Sequence, residues 1–357
     1  MSFLRAAHLN ITMECNFKCK YCFESHNKQY MSLATAINAI DFLNKIGEPN
    51  KKISINFFGG EPLLNYEIIV GTVAYAESKY PDRFNFGLVT NCSLLNDEII
   101  EFLKKHKMGV LASYDGKITH DRFRRANTSE LVETNIKKML DAKLFVNSAM
   151  TLVPGETQNM YENFMSINKL GVRAIAINHV VSGYRQYNEE DFNNINEQYD
   201  KLLPLLIEDK LSGKNKIVCA LLEKHLSGIK RKAMKTYKNP NTWACGACRG
   251  SLGIWPNGEI MPCHEMAPEI YPHWYLGNVN DGTFNEEKRC EYQHETYRDC
   301  DLCEVTNCGH CRTRAFSSTG NEDGTVENTC RYQRLLYTKA IIMFNELAKN
   351  NKTDWIR

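Results

Sequence analysis

Cys15-Asn-Phe-Lys-Cys19-Lys-Tyr-Cys22 puts three cysteines into one short loop, in the spacing CxxxCxxC. Three thiolates in such a loop can hold three irons of a 4Fe–4S cube and leave the fourth iron open. A small molecule with an amine and a carboxylate can chelate that open iron. A closed zinc site or a fully protein-ligated cluster takes four ligands instead. The same residues also suit half of a zinc site, or buried apolar thiols. The neighbouring sequence is needed to choose.

Upstream, residues 4–11 read as a strand that feeds the loop. Downstream, short apolar runs alternate with amphipathic stretches, the pattern of βαβ units around a parallel sheet. Ser32 is placed to cap a helix in which Ala36, Ile37, Ile40, Leu43 and Ile46 keep helical spacing, and Gly47 ends it. Strands are expected at 53–58, 84–89, 110–113, 144–150 and 174–178. Asn96 should cap the helix before Gly109, and a further helix covers Ser129–Asp141. The strands lead into polar or Gly-rich segments, including Gly59-Gly60-Glu61-Pro62, Thr90-Asn91 and Ser113-Tyr-Asp115-Gly116. Ligands of parallel α/β folds collect at such strand ends. Six units are too few for a closed eight-fold barrel. The expected fold over residues 1–185 is therefore α/β, an open partial (β/α)6 TIM barrel.

In bare chemistry, Gly59 and Gly60 suit a close approach of backbone to a ligand, and Glu61 offers an acceptor. Alone, the tetrapeptide is also an ordinary turn. Together with CxxxCxxC and with Asp115-Gly116, His120-Asp121 and Arg124, it resembles the radical S-adenosylmethionine (SAM) enzymes. That resemblance implies a 4Fe–4S cluster on Cys15, Cys19 and Cys22. It implies SAM as cofactor, with its methionyl ammonium on Gly59, Gly60 and Glu61. Tyr21 would lie beside the adenine, and Asn91 and Ser113 would contact SAM. Arg124 would pair with the SAM carboxylate, with Arg122 and Arg125 as competitors; Asp121 and Arg122 read better as solvated loop charges. The implied chemistry is reductive cleavage of SAM to a 5′-deoxyadenosyl radical, which abstracts an unactivated hydrogen.

Residues 186–242 read as a charge-rich helical bridge ending in the linker Lys238-Asn-Pro-Asn-Thr242. Nine of the fourteen cysteines lie in 245–330. Cys245-Gly-Ala-Cys248, Cys263, Cys300-Asp-Leu-Cys303, Cys308-Gly-His-Cys311 and Cys330 make eight thiolates, enough for two fully ligated clusters. Zinc ribbons use similar CxxC pairs. Beside the first domain, residues 243–335 resemble the SPASM extension of radical SAM proteins, which carries two auxiliary 4Fe–4S clusters. The usual third block, CxxCx5CxxxC, is here one residue shorter in both gaps. The family's interleaved ligation implies one cluster on Cys245, Cys248, Cys263 and Cys311, and another on Cys300, Cys303, Cys308 and Cys330. That makes three 4Fe–4S clusters in all. Cys92, Cys219 and Cys290 are left over and read as small buried hydrophobes. An amphipathic helix over 332–350 closes the chain, and 336–357 is read as a C-terminal helical segment.

The 357 residues are 43% apolar and 24% charged, an ordinary globular composition. A formal charge of +2 announces no polyanion, so nucleic acid is not an expected partner. Met1-Ser-Phe-Leu-Arg5 lacks the apolar run of a signal peptide, and no stretch approaches a membrane span. A cytoplasmic location is expected, where thiols stay reduced and serve metals or catalysis.

SPASM enzymes mostly modify peptides or proteins, by crosslinking or by oxidising a sulfatase residue to formylglycine. Sulfatase maturases place an aspartate base after the cysteine of the GxxxxC segment; here His264 and Glu265 follow Cys263. His264 is the candidate catalytic base, or else a hydrogen-bonding support beside a cluster. The preferred expectation is a maturase of ribosomally made peptides. The alternatives are formylglycine formation, oxidation of a small molecule or nucleoside, and a zinc-stabilised binding module without catalysis. Only 14 residues precede Cys15, so a leader-recognition module is expected on a separate protein, if one is used. Asn178 and His179 should face the opening. A reductant such as flavodoxin or ferredoxin is a further implied partner.

Overall fold

The cysteine loop hangs from an interior strand of one continuous sheet. The computed structural model describes residues 3–180, 184–236, 245–294, 303–308, 311–354 and 356. The first half alternates β1 (Ala6–Thr12), α1 (Leu33–Ile46), β2 (Ile53–Gly59), α2 (Tyr66–Lys79), β3 (Phe84–Thr90), α3 (Asp97–Lys105), β4 (Gly109–Ser113), α4 (His120–Phe123), α5 (Ser129–Asp141), β5 (Val146–Leu152), α6 (Met160–Lys169) and β6 (Ala174–His179). Each neighbouring pair from β1 to β6 is parallel. The caps act as their residue types dictate: Ser32 accepts from Thr35 N, and Asn96 from Ile99 N. Gly47 ends α1 without a left-handed turn; a Cβ there would lie 2.2 Å from Ile53 Cδ1.

The second half adds α7 (Glu189–Leu211), β7 (Val218–Cys219), α8 (Ala220–Ala233), β8 (Ser251–Ile254), β9 (Glu259–Met261), β10 (Gly277–Asn278), β11 (Thr283–Phe284), α9 (Glu286–His294), α10 (Arg312–Thr319) and α11 (Glu327–Lys349). The sheet order is β11-β10-β9-β8-β1-β2-β3-β4-β5-β6-β7. Two additions were not expected. β7 extends the parallel run beyond β6, and β8 pairs in parallel with β1, so the cysteine-rich region shares its sheet with the first. The linker at 238–242 lies outside the described residues. The last helix starts at Glu327, five residues before the expected position, which brings Cys330 into its first turn.

Strand periodicity explains how the interior is divided. In β2, β4, β5 and β6 buried and half-buried residues alternate strictly. Ile53, Ile55 and Phe57 are fully buried against helices, each contributing about 1.5–3 kcal/mol. The half-buried set includes Phe58, Leu111, Ser113, Ala149, Thr151 and Asn178, and all six line one cavity at the strands' carboxyl ends.

Helix α11 is locked to the barrel side by polar contacts inside the core. Tyr332 Oη donates to Ile177 O at 2.9 Å and meets Tyr199 Oη at 3.0 Å. Lys339 Nζ reaches Asp200 at 2.5 Å. Tyr332→Phe leaves the Ile177 carbonyl and one tyrosine hydroxyl short of a partner in a dry site. It should cost about 1–3 kcal/mol, visible as a lower unfolding midpoint; an unchanged midpoint would show that the contact is dispensable.

Candidate active site

The loop after β1 is stitched to three other strand ends. Gly60 N donates to Thr12 O (2.8 Å) and Glu61 N to Glu14 O (2.9 Å). Asn91 Nδ2 donates to Asn16 Oδ1 (2.8 Å), and Arg125 Nη1 to Asn16 O (2.6 Å). Lys20 N donates to Phe123 O (2.8 Å), and Cys22 N folds back on Cys19 O (3.0 Å). Phe17 anchors the loop in the core at 1% exposure.

Gly59 and Gly60 line the cavity, but their missing side chains serve the protein's own backbone. Gly59 has φ +129°, and a Cβ on it would stand 2.0 Å from Thr12 O; on Gly60 it would stand 2.2 Å from Glu14 O. The Glu61 carboxylate is an acceptor, as its residue type suggests, and its partners here are the protein's own donors. It is fully buried and does not line the cavity. It accepts from Leu63 N (3.1 Å), Thr90 Oγ1 (2.7 Å) and Asn91 N (2.7 Å). Burial raises its pKa to about 7, against the pull of those donors.

Asp115 sits at the centre of the opposite attachment. It is fully buried, accepts from the Tyr21 hydroxyl, from Arg124 Nη2 (2.8 Å) and from Thr151 N (2.8 Å). The Arg124 guanidinium also stacks 5.5 Å from the centre of the Tyr21 ring. Arg124 is thus already paired, not a free partner for a carboxylate; its Nε, buried, has no hydrogen-bond partner. Arg122 pairs with Glu156 (2.7 Å), and Asp121 accepts from Thr128 N, Ser129 N and Ser129 Oγ at the start of α5. Tyr21, Asn91, Ser113 and Arg124 all line the cavity.

Two C-terminal segments close the cavity. His264 stacks on His8 (ring centres 4.1 Å apart) and meets the edge of Phe58 (4.5 Å). Its Nδ1 lies 3.7 Å from Cys263 Sγ, and burial lowers its pKa to about 4. Glu265 and Arg314 also line the cavity, as do Asn178 and His179. His179 is buried and touches Thr329 Oγ1 at 3.0 Å. On the loop side Glu24 lines it, with Oε1 buried and unpartnered. Glu24, Thr151 and Arg314 escaped the sequence reading. Thr151 alone carried a signal, its place at a strand's end.

The space has a volume of about 310 Å³, and Cys15, Cys19 and Cys22 form one wall. Burial raises the Cys15 thiol to about 12 and the Cys22 thiol to about 11, so a metal must displace protons to bind. Among the described residues no three His, Cys, Asp or Glu groups converge tightly enough for a single metal ion. Three thiols beside a roomy cavity with orphaned polar atoms on Arg124 and Glu24 fit a cluster with a bound polar cofactor. In the C-terminal region Cys245 and Cys311 both act electrostatically on the Cys263 thiol and Cys245 on that of Cys248, and Cys248 N donates to Pro262 O at 3.3 Å, next to Cys263. Cys303, Cys308 and Cys330 are half-buried, and Cys300 lies outside the described residues. Cys92 and Cys219 are buried in the core; Cys290 is half-buried beside Glu286.

Residues 9–166 match the radical SAM superfamily. The radical SAM cyclopropyl synthase TigE of Paramaledivibacter caminithermalis is 25% identical, over 95% of this chain and 74% of its own. The cysteine-type anaerobic sulfatase-maturating enzyme of Clostridium perfringens is 23% identical over 95% of this chain and 96% of its own. The solved structure of native anSMEcpe with bound AdoMet and Cp18Cys peptide superposes with a TM-score of 0.78 at 19% identity, over 97% of this chain and 99% of that one. At that identity the superposition speaks for the fold.

Two outcomes follow from the electrostatics. Asp115→Asn strands the buried Arg124 charge and should cost about 3–5 kcal/mol, read as a large fall in unfolding midpoint; a shift within experimental error would refute the central role of Asp115. His120 is buried, with its pKa lowered to about 4 from an ordinary 6.5. As pH falls through 6.5 the unfolded chain takes up a proton that the folded chain refuses, so stability should drop between pH 6.5 and 4. His120→Gln should flatten that slope in denaturation measured across the range, and an unaltered slope would exclude His120 as a contributor.

Proposed function

We propose that this chain, whose residues 9–166 match the radical SAM superfamily, is a radical SAM/SPASM enzyme that modifies a side chain of a peptide or protein. One observation carries the reading: the CxxxCxxC thiols and the inner residues of five strand ends line a single cavity. The family uses a 4Fe–4S cluster and SAM, which together supply a 5′-deoxyadenosyl radical for hydrogen abstraction.

The chain's residues would divide the work as follows. Cys15, Cys19 and Cys22 hold the cluster and leave one iron for SAM. The backbone at Gly59 and Gly60 receives the methionyl ammonium, while the Glu61 carboxylate shapes that turn from behind. Asn91 and Ser113 contact SAM, and Tyr21, fixed by Asp115, lies beside the adenine. The orphaned Arg124 Nε offers one hydrogen bond toward the cofactor. Phe58, Val89 and Leu111 exclude water from the same space. His264, packed between His8 and Phe58 and next to Cys263, is better placed to orient than to move a proton.

The partial barrel continues into a SPASM region with two auxiliary clusters. The proximity of Cys245, Cys248, Cys263 and Cys311 supports the first of them; the second would use Cys300, Cys303, Cys308 and Cys330. A peptide or protein substrate is favoured because relatives similar along nearly the whole chain include a sulfatase-maturating enzyme. It is favoured also because no described residue of α11 lines the cavity, as a lid over a small metabolite would require. Flavodoxin or ferredoxin would supply electrons.

The test is anaerobic reconstitution of the native chain and of Cys15→Ala. Native protein should hold about twelve irons and form 5′-deoxyadenosine from SAM under reduction. The variant should hold about eight and form none. Zinc in place of iron in the native chain, or 5′-deoxyadenosine from the variant, would overturn the reading.

A further inference from the structure

One cation in the cavity has no task in the chemistry above. Arg314 is the third residue of α10, which begins directly after Cys311. Arg312, two residues earlier, is buried between the rings of Trp274 and Tyr292, at 4.6 and 4.3 Å. Two residues along a helix turn the side chain by roughly 200°, so packing of Arg312 inward on one side presents Arg314 on the other. There it lines the same cavity as Cys15, Cys19 and Cys22.

Arg314 differs from the arginines around it. Arg122 and Arg124 pair with Glu156 and Asp115, and Arg331 with Glu189. Arg314 makes no ion pair among the described residues, and its Nε is buried without a hydrogen-bond partner. His179, Tyr187, Tyr332 and the thiol of Cys311 feel its charge, and the carboxylates of Glu24 and Glu265 line the same cavity without forming an ion pair with it. Such a half-buried guanidinium is costly unless something supplies the missing acceptors. It also lines a second, smaller cleft with Tyr184, Arg185 and Asn328, which shares His179 and Val180 with the main cavity. Arg314 therefore stands where the two spaces join, on the path of any chain that runs from one into the other.

We propose that Arg314 is a specificity-determining residue that binds a carboxylate of the substrate, and so sets which neighbouring residue is presented beside the three cysteines. The carboxylate is an Asp or Glu side chain or a free C-terminus. A guanidinium takes either in the same two-point geometry. The inference rests on the peptide-modifying reading of the cavity.

Labelled short peptide pools test it, with binding to the anaerobically reconstituted enzyme plus SAM followed by fluorescence anisotropy. One pool carries fixed Asp or Glu and its control Asn or Gln; a second pair differs only in a free or amidated C-terminus. One acidic pool should bind the native enzyme about tenfold or more tightly than its amide control, and which pool does so identifies the source. Arg314→Gln should bring that ratio near one, and Arg314→Lys should keep part of it. An equal preference in Arg314→Gln, or no preference in the native enzyme, overturns the proposal. So does a matching loss of SAM affinity in Arg314→Gln, which would put the residue on the methionyl carboxylate. SAM cleavage by the native enzyme without peptide is followed in parallel: its absence would defeat the underlying reading and not this one.

Discussion

A single buried carboxylate holds the cysteine loop against the sheet. Asp115 leaves the end of β4 and gathers the Tyr21 hydroxyl, the Arg124 guanidinium and the amide of Thr151 at the end of β5. Burial opposes charge on Arg124, and Asp115, Tyr21 and Cys19 together more than offset it. The pair is thereby neutral as a unit, and the ring of Tyr21 is clamped between loop and guanidinium. Three thiols that line one cavity keep their mutual spacing only if their loop is held rigidly, because a site loosens with a displacement of about an ångström. Glu61 does the equivalent work from β2, collecting the amides of Leu63 and Asn91. Two buried acids thus fix the loop and the strand ends around the cavity, Tyr21, Arg124 and Asn91 among them.

The C-terminal region is built into this frame and not appended to it. β8 lies beside β1, and the turn after β9, which carries Cys263, delivers His264 and Glu265 to the wall of the cavity. Asn10, on β1, donates to His264 O at 3.2 Å, so the strand that leads into the first thiols also fixes the segment that carries Cys263. Gly253 permits the approach: a Cβ there would stand 2.7 Å from the Cys263 carbonyl carbon.

Much of this was legible in the chain. Side-chain caps at Ser32 and Asn96, the six strands and α5 follow from local spacing and turn chemistry. The cysteine spacing located the cavity wall. What escaped depends on distant partners. Gly59 and Gly60 leave room for the carbonyls of Thr12 and Glu14, and only the fold shows which neighbour is close. Arg124 reads as a free cation until Asp115 is seen beside it. The pairing of β8 with β1 joins residues some 245 positions apart (Leu9 with Ile254), and a four-residue strand carries no mark of its partner.

That last pairing has a bearing on how the chain is made. β1 has β2 on one flank within about fifty residues, but its other flank stays open until β8 has emerged. At ribosomal speeds of about 5–20 residues per second the wait is roughly 12–50 seconds. Throughout it a nascent apolar edge adjoins three reactive sulfurs. Only when β8 is in place does that flank close, so the His264 and Glu265 part of the cavity wall is a late arrival in the order of synthesis.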